Sequence, residues 1–368
     1  MGVPIQRFES KEAFIVIASK DWMEISCMLI EQGMAPIRDF MPFWMIEDTI
    51  SYKEICQYYT KEQVAEYISK IKRMRKIALL YGNCQTEIMM KMLSFHPKFR
   101  EDYVILAVPM VFQFSSEQEI QQFLNDKILW QSVDLLIYQQ VGRENRFSPS
   151  LASEKIIEKV NLGCTKVRIL NIFFDGYFPQ LKPVRKRWGV ELHQSGLFPF
   201  GDQYVDQLLE EGKSVEEIAQ IVSSEDFLGD DEIKAGCKRS IQELHQREKM
   251  ADVKICDYIE TRMYTGGGQM FFSTNHPQNS LLYEYTNRIL QHLGYPSLPE
   301  ISEEDMNIQF GTLKGQDIPI YPSVIQCLGI TGKQAYFPNR YLWQDYLLDF
   351  QSYIKEYIKY VWCEVISK

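Results

Sequence analysis

Short apolar runs alternate along the chain with longer segments whose apolar residues recur at helical spacing. Ala-Phe-Ile-Val-Ile-Ala at 13–18 reads as a buried strand, and 21–33 as a helix closed by Gly33. Residues 60–73 read as a helix with Thr60 as its cap. The run 76–81 ends in Gly82-Asn83-Cys84-Gln85, and Ile88, Met89, Met92 and Leu93 then share one side of a helical segment. Further strands are expected at 103–110, 133–140 and 167–174. Ser116 to Glu119 forms a capping-box pattern that opens a helix to about Asn125. Strands separated by helices predict parallel pairing with right-handed crossovers, and ligands then lie beyond the carboxyl ends of the strands.

The pattern changes beyond about residue 200. Ser214 to Glu217 is a second capping box. One long polar helix is expected over 230–262, with Ile233, Cys237, Ile241 and Leu244 on its apolar side, and another over 280–293. Residues 294–340, rich in Pro and Gly, read as an irregular connection. A last helix is expected over 342–366, with Trp343, Tyr346, Leu347, Phe350, Tyr353 and Ile354 on one side. The pattern thus predicts an α/β protein with a central, mainly parallel sheet flanked by helices and a largely helical C-terminal portion. Its organisation reads as a β-α appendage over 1–72 and one domain over 73–368, with the α/β core at about 73–200.

Composition narrows the function. A chain of 368 residues that is 45% hydrophobic and 13% aromatic can bury a substantial core. A net charge of −9 argues against a general nucleic-acid binder but allows a local cationic pocket. There is no apolar run of 18 residues, and the N-terminus lacks the apolar stretch of a signal peptide. Gln6 occupies the position where a myristoylation signal would carry Ser or Thr. Eight cysteines without a CxxC pair suit free thiols in a reducing cytoplasm. No pair of histidines has metal-ligand spacing, so no metal is expected.

The densest chemistry lies at 82–85. Gly82 permits a close turn, and Cys84 falls at or beside a helix N-terminus. There the dipole and unpaired N–H groups favour anions and lower a thiol pKa, so Cys84 is expected to be the most reactive cysteine. Asn83 and Gln85 carry amides that can donate to a carbonyl or phosphate oxygen. The structural alternative is a small buried thiol and two turn-stabilising amides. His276, in Ser-Thr-Asn-His-Pro at 273–277, is the best base candidate; otherwise the stretch is a helix-entry loop. Asp175 can orient a hydroxyl or the histidine, or simply close a turn before Gly176. Gln140 ends a strand. Arg143 and Arg146 form one basic loop, and Arg185 lies in a second basic run at 182–187. Either loop can grip phosphates or be merely solvated.

Gly82-Asn83-Cys84-Gln85 after a strand resembles the opening motif of the WcbI-type polysaccharide biosynthesis proteins. Asp134 to Gln140, Asn171 to Pro179 and Ser273 to Pro277 are similar to later stretches of that family, so the resemblance spans roughly 76–290. It implies an acetyltransferase of capsule synthesis that binds coenzyme A, with acetyl-coenzyme A as donor and a hydroxyl of a polysaccharide or sugar precursor as acceptor. Cys84, His276 and Asp175 become the catalytic candidates. Gly82, Asn83, Gln85, Gln140, Arg143, Arg146 and Arg185 become the cofactor-binding ones. The sequence leaves room for a homo-oligomer. Two other classes stay open: an esterase, because the first motif also faintly resembles the opening block of the Gly-Asp-Ser hydrolases, and a non-catalytic sugar- or nucleotide-binding module.

Overall fold

The structure, a computed structural model, describes residues 48–181, 196–332, 334–342 and 346–366, with short stretches before residue 43 and at 186–187 and 190–191. It divides into two compact units, Met1–Val167 and Arg168–Lys368. In the first unit, β1 (Ile15–Ile17) pairs in parallel with β2 (Phe40–Pro42) as a separate two-stranded sheet.

Among the described residues the main sheet has five strands: β3 (Thr49–Ser51), β4 (Lys76–Tyr81), β5 (Tyr103–Ala107), β6 (Leu135–Gln139) and β7 (Thr165–Ile169). Their order is β3-β5-β4-β6-β7, and the sheet is parallel, as the alternation of strands and helices predicts. Ala78 pairs with Ile105 on one side and Leu135 on the other, so β4 is the central strand. Ile77 to Tyr81 and all of β6 are buried. Helices cover both faces of a parallel sheet, which is why these strands read as continuous apolar runs and not as alternating ones.

The first helices of this unit are α1 (Tyr52–Tyr58), α2 (Lys61–Met74), α3 (Cys84–Phe95) and α4 (Pro97–Asp102). Thr60 and Gln63 complete a reciprocal capping box at α2. α5 (Glu117–Leu124) is capped by Ser116, but the Glu119 carboxylate reaches Ser115 N at 2.9 Å and not the capping residue. α6 (Lys127–Ser132) and α7 (Ser153–Ile157) follow. Thr49–Ser51 belongs to the main sheet, although it precedes residue 72, the end expected for the appendage.

Asp134 ties three elements together at the start of β6. Its Oδ2 accepts from Ile77 N at 2.9 Å, and its Oδ1 accepts from Lys72 Nζ at 2.7 Å. Its backbone donates to Ile77 O and accepts from Thr165 N, each at 2.8 Å.

In the second unit, α8 (Gln203–Glu210) and α9 (Val215–Val222) are followed by α10 (Asp230–Glu248) and α11 (Cys256–Tyr264). The single helix expected over 230–262 is therefore two. The chain leaves the helix after Glu248, whose buried carboxylate accepts from the N–H groups of Ile255 and Cys256 and so starts the next helix. Residues 294–340 are more regular than expected. After α12 (Asn279–His292) come α13 (Glu303–Phe310), capped by Ser302, and α14 (Pro322–Leu328), with Pro at its start. The last helix, α15, begins at Phe350 and not near 342. Tyr353, Ile354, Tyr357 and Ile358 are its buried side, while Tyr346 and Leu347 are exposed, and Trp343 lies outside the described residues. Three strands also end early. β5 stops at Ala107, β6 at Gln139 and β7 at Ile169, so 170–178 is an irregular segment.

Asp134→Ala should lower stability by about 1–3 kcal/mol, because it leaves the buried Ile77 N–H without an acceptor. Asp134→Asn, which keeps one carbonyl oxygen, should cost less. Urea unfolding followed by circular dichroism separates the two, and equal midpoints for Asp134→Ala and wild type would refute the assignment.

Candidate active site

The central strand β4 delivers the chain into the turn at 82–85. Asn83 caps α3, its Oδ1 accepting from Gln85 N at 3.0 Å, and Thr86 Oγ1 donates to Asn83 O at 2.6 Å. The neighbouring strand β6 supplies the fixing contact. Gln139 is buried, and its Oε1 accepts from Asn83 N at 2.9 Å while its Nε2 donates to Gln85 Oε1 at 3.2 Å. Gly82 makes this approach feasible. A Cβ there would collide with Gln139 Oε1 and lie 2.8 Å from both Gln139 Cδ and Thr86 Cγ2. Glycine is therefore required for close approach, and its φ is not the reason.

The N–H groups of Asn83 and Gln85 are thus engaged within the turn and do not belong to the unpaired set expected to favour an anion. Cys84 also departs from expectation. Burial dominates its environment and Glu87 adds to it, so the thiol is pushed up to about 12 in spite of nearby backbone N–H groups. Dipole activation at a helix N-terminus loses here to desolvation. Beside the turn, a cavity of about 280 Å³ is lined by Leu80, Gly82, Thr86, Met90, Val108 and Met110, with Glu87 and Gln113 also on its wall.

Gln139, not Gln140, serves the turn. Gln140 is exposed just past the end of β6. Arg143 is exposed and pairs with Glu154. Arg146 lies over the Phe147 ring, 4.8 Å from its centroid. Arg185 lies outside the described residues.

In the second unit the structure brings the Asp175 and His276 segments together. Phe174 N donates to Thr274 O at 2.7 Å, and the Phe174 ring stacks on Phe271 at 5.1 Å. β8 (Phe271–Ser273) and β9 (His276–Pro277) form an antiparallel hairpin that pairs Ser273 with His276. His276 Nδ1 is buried without a hydrogen-bond partner, and burial pulls the imidazole down from 6.5 to about 4. It is therefore neutral at pH 7, as a base must be, but weaker than the expected value near 6.5. Asp175 is exposed and its N–H donates to Ser240 Oγ at 3.1 Å. Arg247, missed in the sequence, donates to Phe173 O at 2.6 Å and lies over the Phe173 ring. In the first unit, His96 is buried and caps α4, its Nδ1 accepting from Phe99 N at 3.0 Å.

A parallel α/β sheet with a glycine-cysteine turn at the carboxyl end of its central strand puts that turn where sheets of this class commonly receive ligands. The family described as Polysaccharide biosynthesis enzyme WcbI matches residues 77–298, which hold both the turn and the histidine hairpin, and the chain belongs to that family. A solved structure described as native WcbI, a novel polysaccharide biosynthesis enzyme, without a disulfide bond between coenzyme A and one of its cysteines, shares the fold. It matches with a TM-score of 0.57 and 20% identity, over 77% of this chain and 90% of that one. No curated protein matches the chain.

Two outcomes follow from burial. Limiting iodoacetamide at pH 7 should label the exposed Cys56 well before Cys84; peptide mapping that finds Cys84 modified first would contradict the protonated thiol. For His276, the unfolded imidazole holds its proton below about pH 6.5, while the folded one does so only below about 4. Between these values the unfolded state binds more protons. Stability should therefore fall as pH drops from 6.5 through 4, by up to roughly 3 kcal/mol from this group. His276→Gln should flatten that part of the urea-midpoint profile, and an unchanged slope would contradict it.

Proposed function

We propose that this WcbI-family protein transfers an acyl group, acetyl foremost, from coenzyme A to a hydroxyl of a polysaccharide or its sugar precursor, as in capsule synthesis. The reading is carried by the Cys84 turn at the end of the central strand. It is supported by family membership and by the mention of coenzyme A beside a cysteine, without a disulfide between them, for the similar solved structure. We assign Cys84 to the thiol end of the coenzyme. The cavity beside it, walled by aliphatic and thioether groups, suits the pantetheine arm better than the phosphates, because Glu87 stands on its wall. Arg143, Arg146 and Arg185 remain the proposed phosphate contacts. The Arg143–Glu154 pair is exposed, so a phosphate can displace the carboxylate.

In the direct route, the acceptor hydroxyl oxygen attacks the thioester carbonyl carbon. A C–O bond forms, the C–S bond breaks, and the coenzyme leaves as a thiolate that takes up a proton. His276 is the proposed base. Its unpartnered ring nitrogen can accept the proton of an acceptor hydroxyl. The positive end of α3 favours charge building on the carbonyl oxygen. Asp175, exposed on the segment joined to the histidine hairpin, is the proposed contact for the acceptor. A protonated Cys84 is a poor nucleophile, which favours direct transfer over an acyl-cysteine intermediate. We place the reaction in the cytoplasm, where acetyl-coenzyme A is available.

The test is transfer of radiolabelled acetyl from the coenzyme to sugar acceptors. His276→Gln should lower the rate by about 10²–10⁴-fold. Cys84→Ser should keep it within roughly tenfold, since only an acyl-cysteine route depends on sulfur chemistry. Turnover of a chromogenic ester with no coenzyme requirement would point to a hydrolase. No binding of coenzyme A at millimolar concentration would remove the cofactor.

A further inference from the structure

A second cluster of reactive side chains lies at the junction of α10 and α11. His245 and Glu248 stand three residues apart at the end of α10, and Cys256 and Glu260 four apart at the start of α11. Both spacings place a pair on one face of its helix. One ligand atom each from His245, Glu248 and Cys256 lie within 4.8 Å of one another. Glu248 and Cys256 are buried, and His245 is half-buried. The His245 Nε2 is 3.0 Å from Glu260 Oε2.

Helix capping explains part of this arrangement. One Glu248 oxygen accepts from Ile255 N and from Cys256 N, the latter at 2.8 Å. Capping needs neither the thiol nor the imidazole. It also leaves a carboxylate and a thiol side by side in a buried place, an arrangement that favours a cation.

We propose that His245, Glu248 and Cys256 bind a divalent transition metal of the zinc class, with Glu260 holding the imidazole. Imidazole, carboxylate and thiolate together suit zinc in hardness, and the two anions balance the charge of one divalent ion. Bonds of about 2.0–2.3 Å bring tetrahedral ligands closer than the present separation, so the side chains would contract slightly on binding. The Cys256 thiol gives up its proton to solvent as the metal–sulfur bond forms. Three protein ligands leave a fourth position for water. Glu260 acts as the carboxylate that fixes the ring of a ligating histidine. The ion would clamp α10 to α11. Through Arg247, next to Glu248, it would steady the Phe173 carbonyl and the segment that carries Asp175.

The experiment uses the full chain, stripped with a chelator and titrated with Co²⁺. One equivalent should bind and give a thiolate-to-cobalt charge-transfer band in the near ultraviolet. Zn²⁺ should displace it and co-elute at one equivalent in gel filtration with elemental analysis. Cys256→Ser should abolish the band. Should that variant fail to fold, Glu260→Gln tests the same site and should weaken binding by about 10–100-fold. The proposal is overturned if the wild-type chain retains less than stoichiometric metal, or if the foldable variants bind Co²⁺ with wild-type affinity and spectrum.

Discussion

The contact between Gln139 and the turn after β4 sets the geometry on which the first unit's site depends. A side-chain amide from one strand replaces the hydrogen bond that the next strand's backbone loses as it curls into a helix. It takes the N–H of Asn83 and gives a hydrogen to Gln85. The contact exists only because residue 82 has no Cβ. Strand pairing places it, since Tyr81 sits opposite Tyr138 and Gln139 follows at the end of β6. Sheet register, a missing side chain and one buried amide thereby fix where Cys84 stands.

Burial then decides the chemistry. At the N-terminus of α3 two effects oppose each other. The dipole and local N–H groups favour a thiolate, and desolvation disfavours it. Desolvation is larger, so Cys84 stays a thiol near neutrality. The same effect acts on His276 with the opposite consequence for charge: it removes the proton and leaves a neutral ring with one unpartnered nitrogen.

Much of the frame was legible in the sequence because a buried parallel strand must be apolar on both faces. β4 and β6 stand out for that reason, α2 has the Thr60 cap its sequence suggests, and α9 announces itself by a capping box that forms as written. The turn was legible too, as a glycine followed by polar residues between a strand and a helix. Its partner was not. Gln139 and Gln140 are adjacent and chemically identical, and only the end point of β6 decides which is buried. The break between α10 and α11 was hidden because Ala251, Ile255 and Ile259 continue the apolar spacing of Ile241 and Leu244. What ends the helix is a carboxylate returning to cap the next one, a contact between residues seven and eight apart. The His245, Glu248 and Cys256 cluster was invisible for the same reason, since its members come from two helices that periodicity reads as one.

The central claim is that the Gln139-held turn is where coenzyme A is received. Its most direct measurement is a calorimetric titration of coenzyme A into wild type and Gln139→Ala, with circular dichroism to show that both are folded. Removing the amide frees the Asn83 N–H and loosens the turn. The account predicts affinity reduced by at least about tenfold, the equivalent of one lost buried hydrogen bond. Unchanged affinity in a folded Gln139→Ala protein would contradict it.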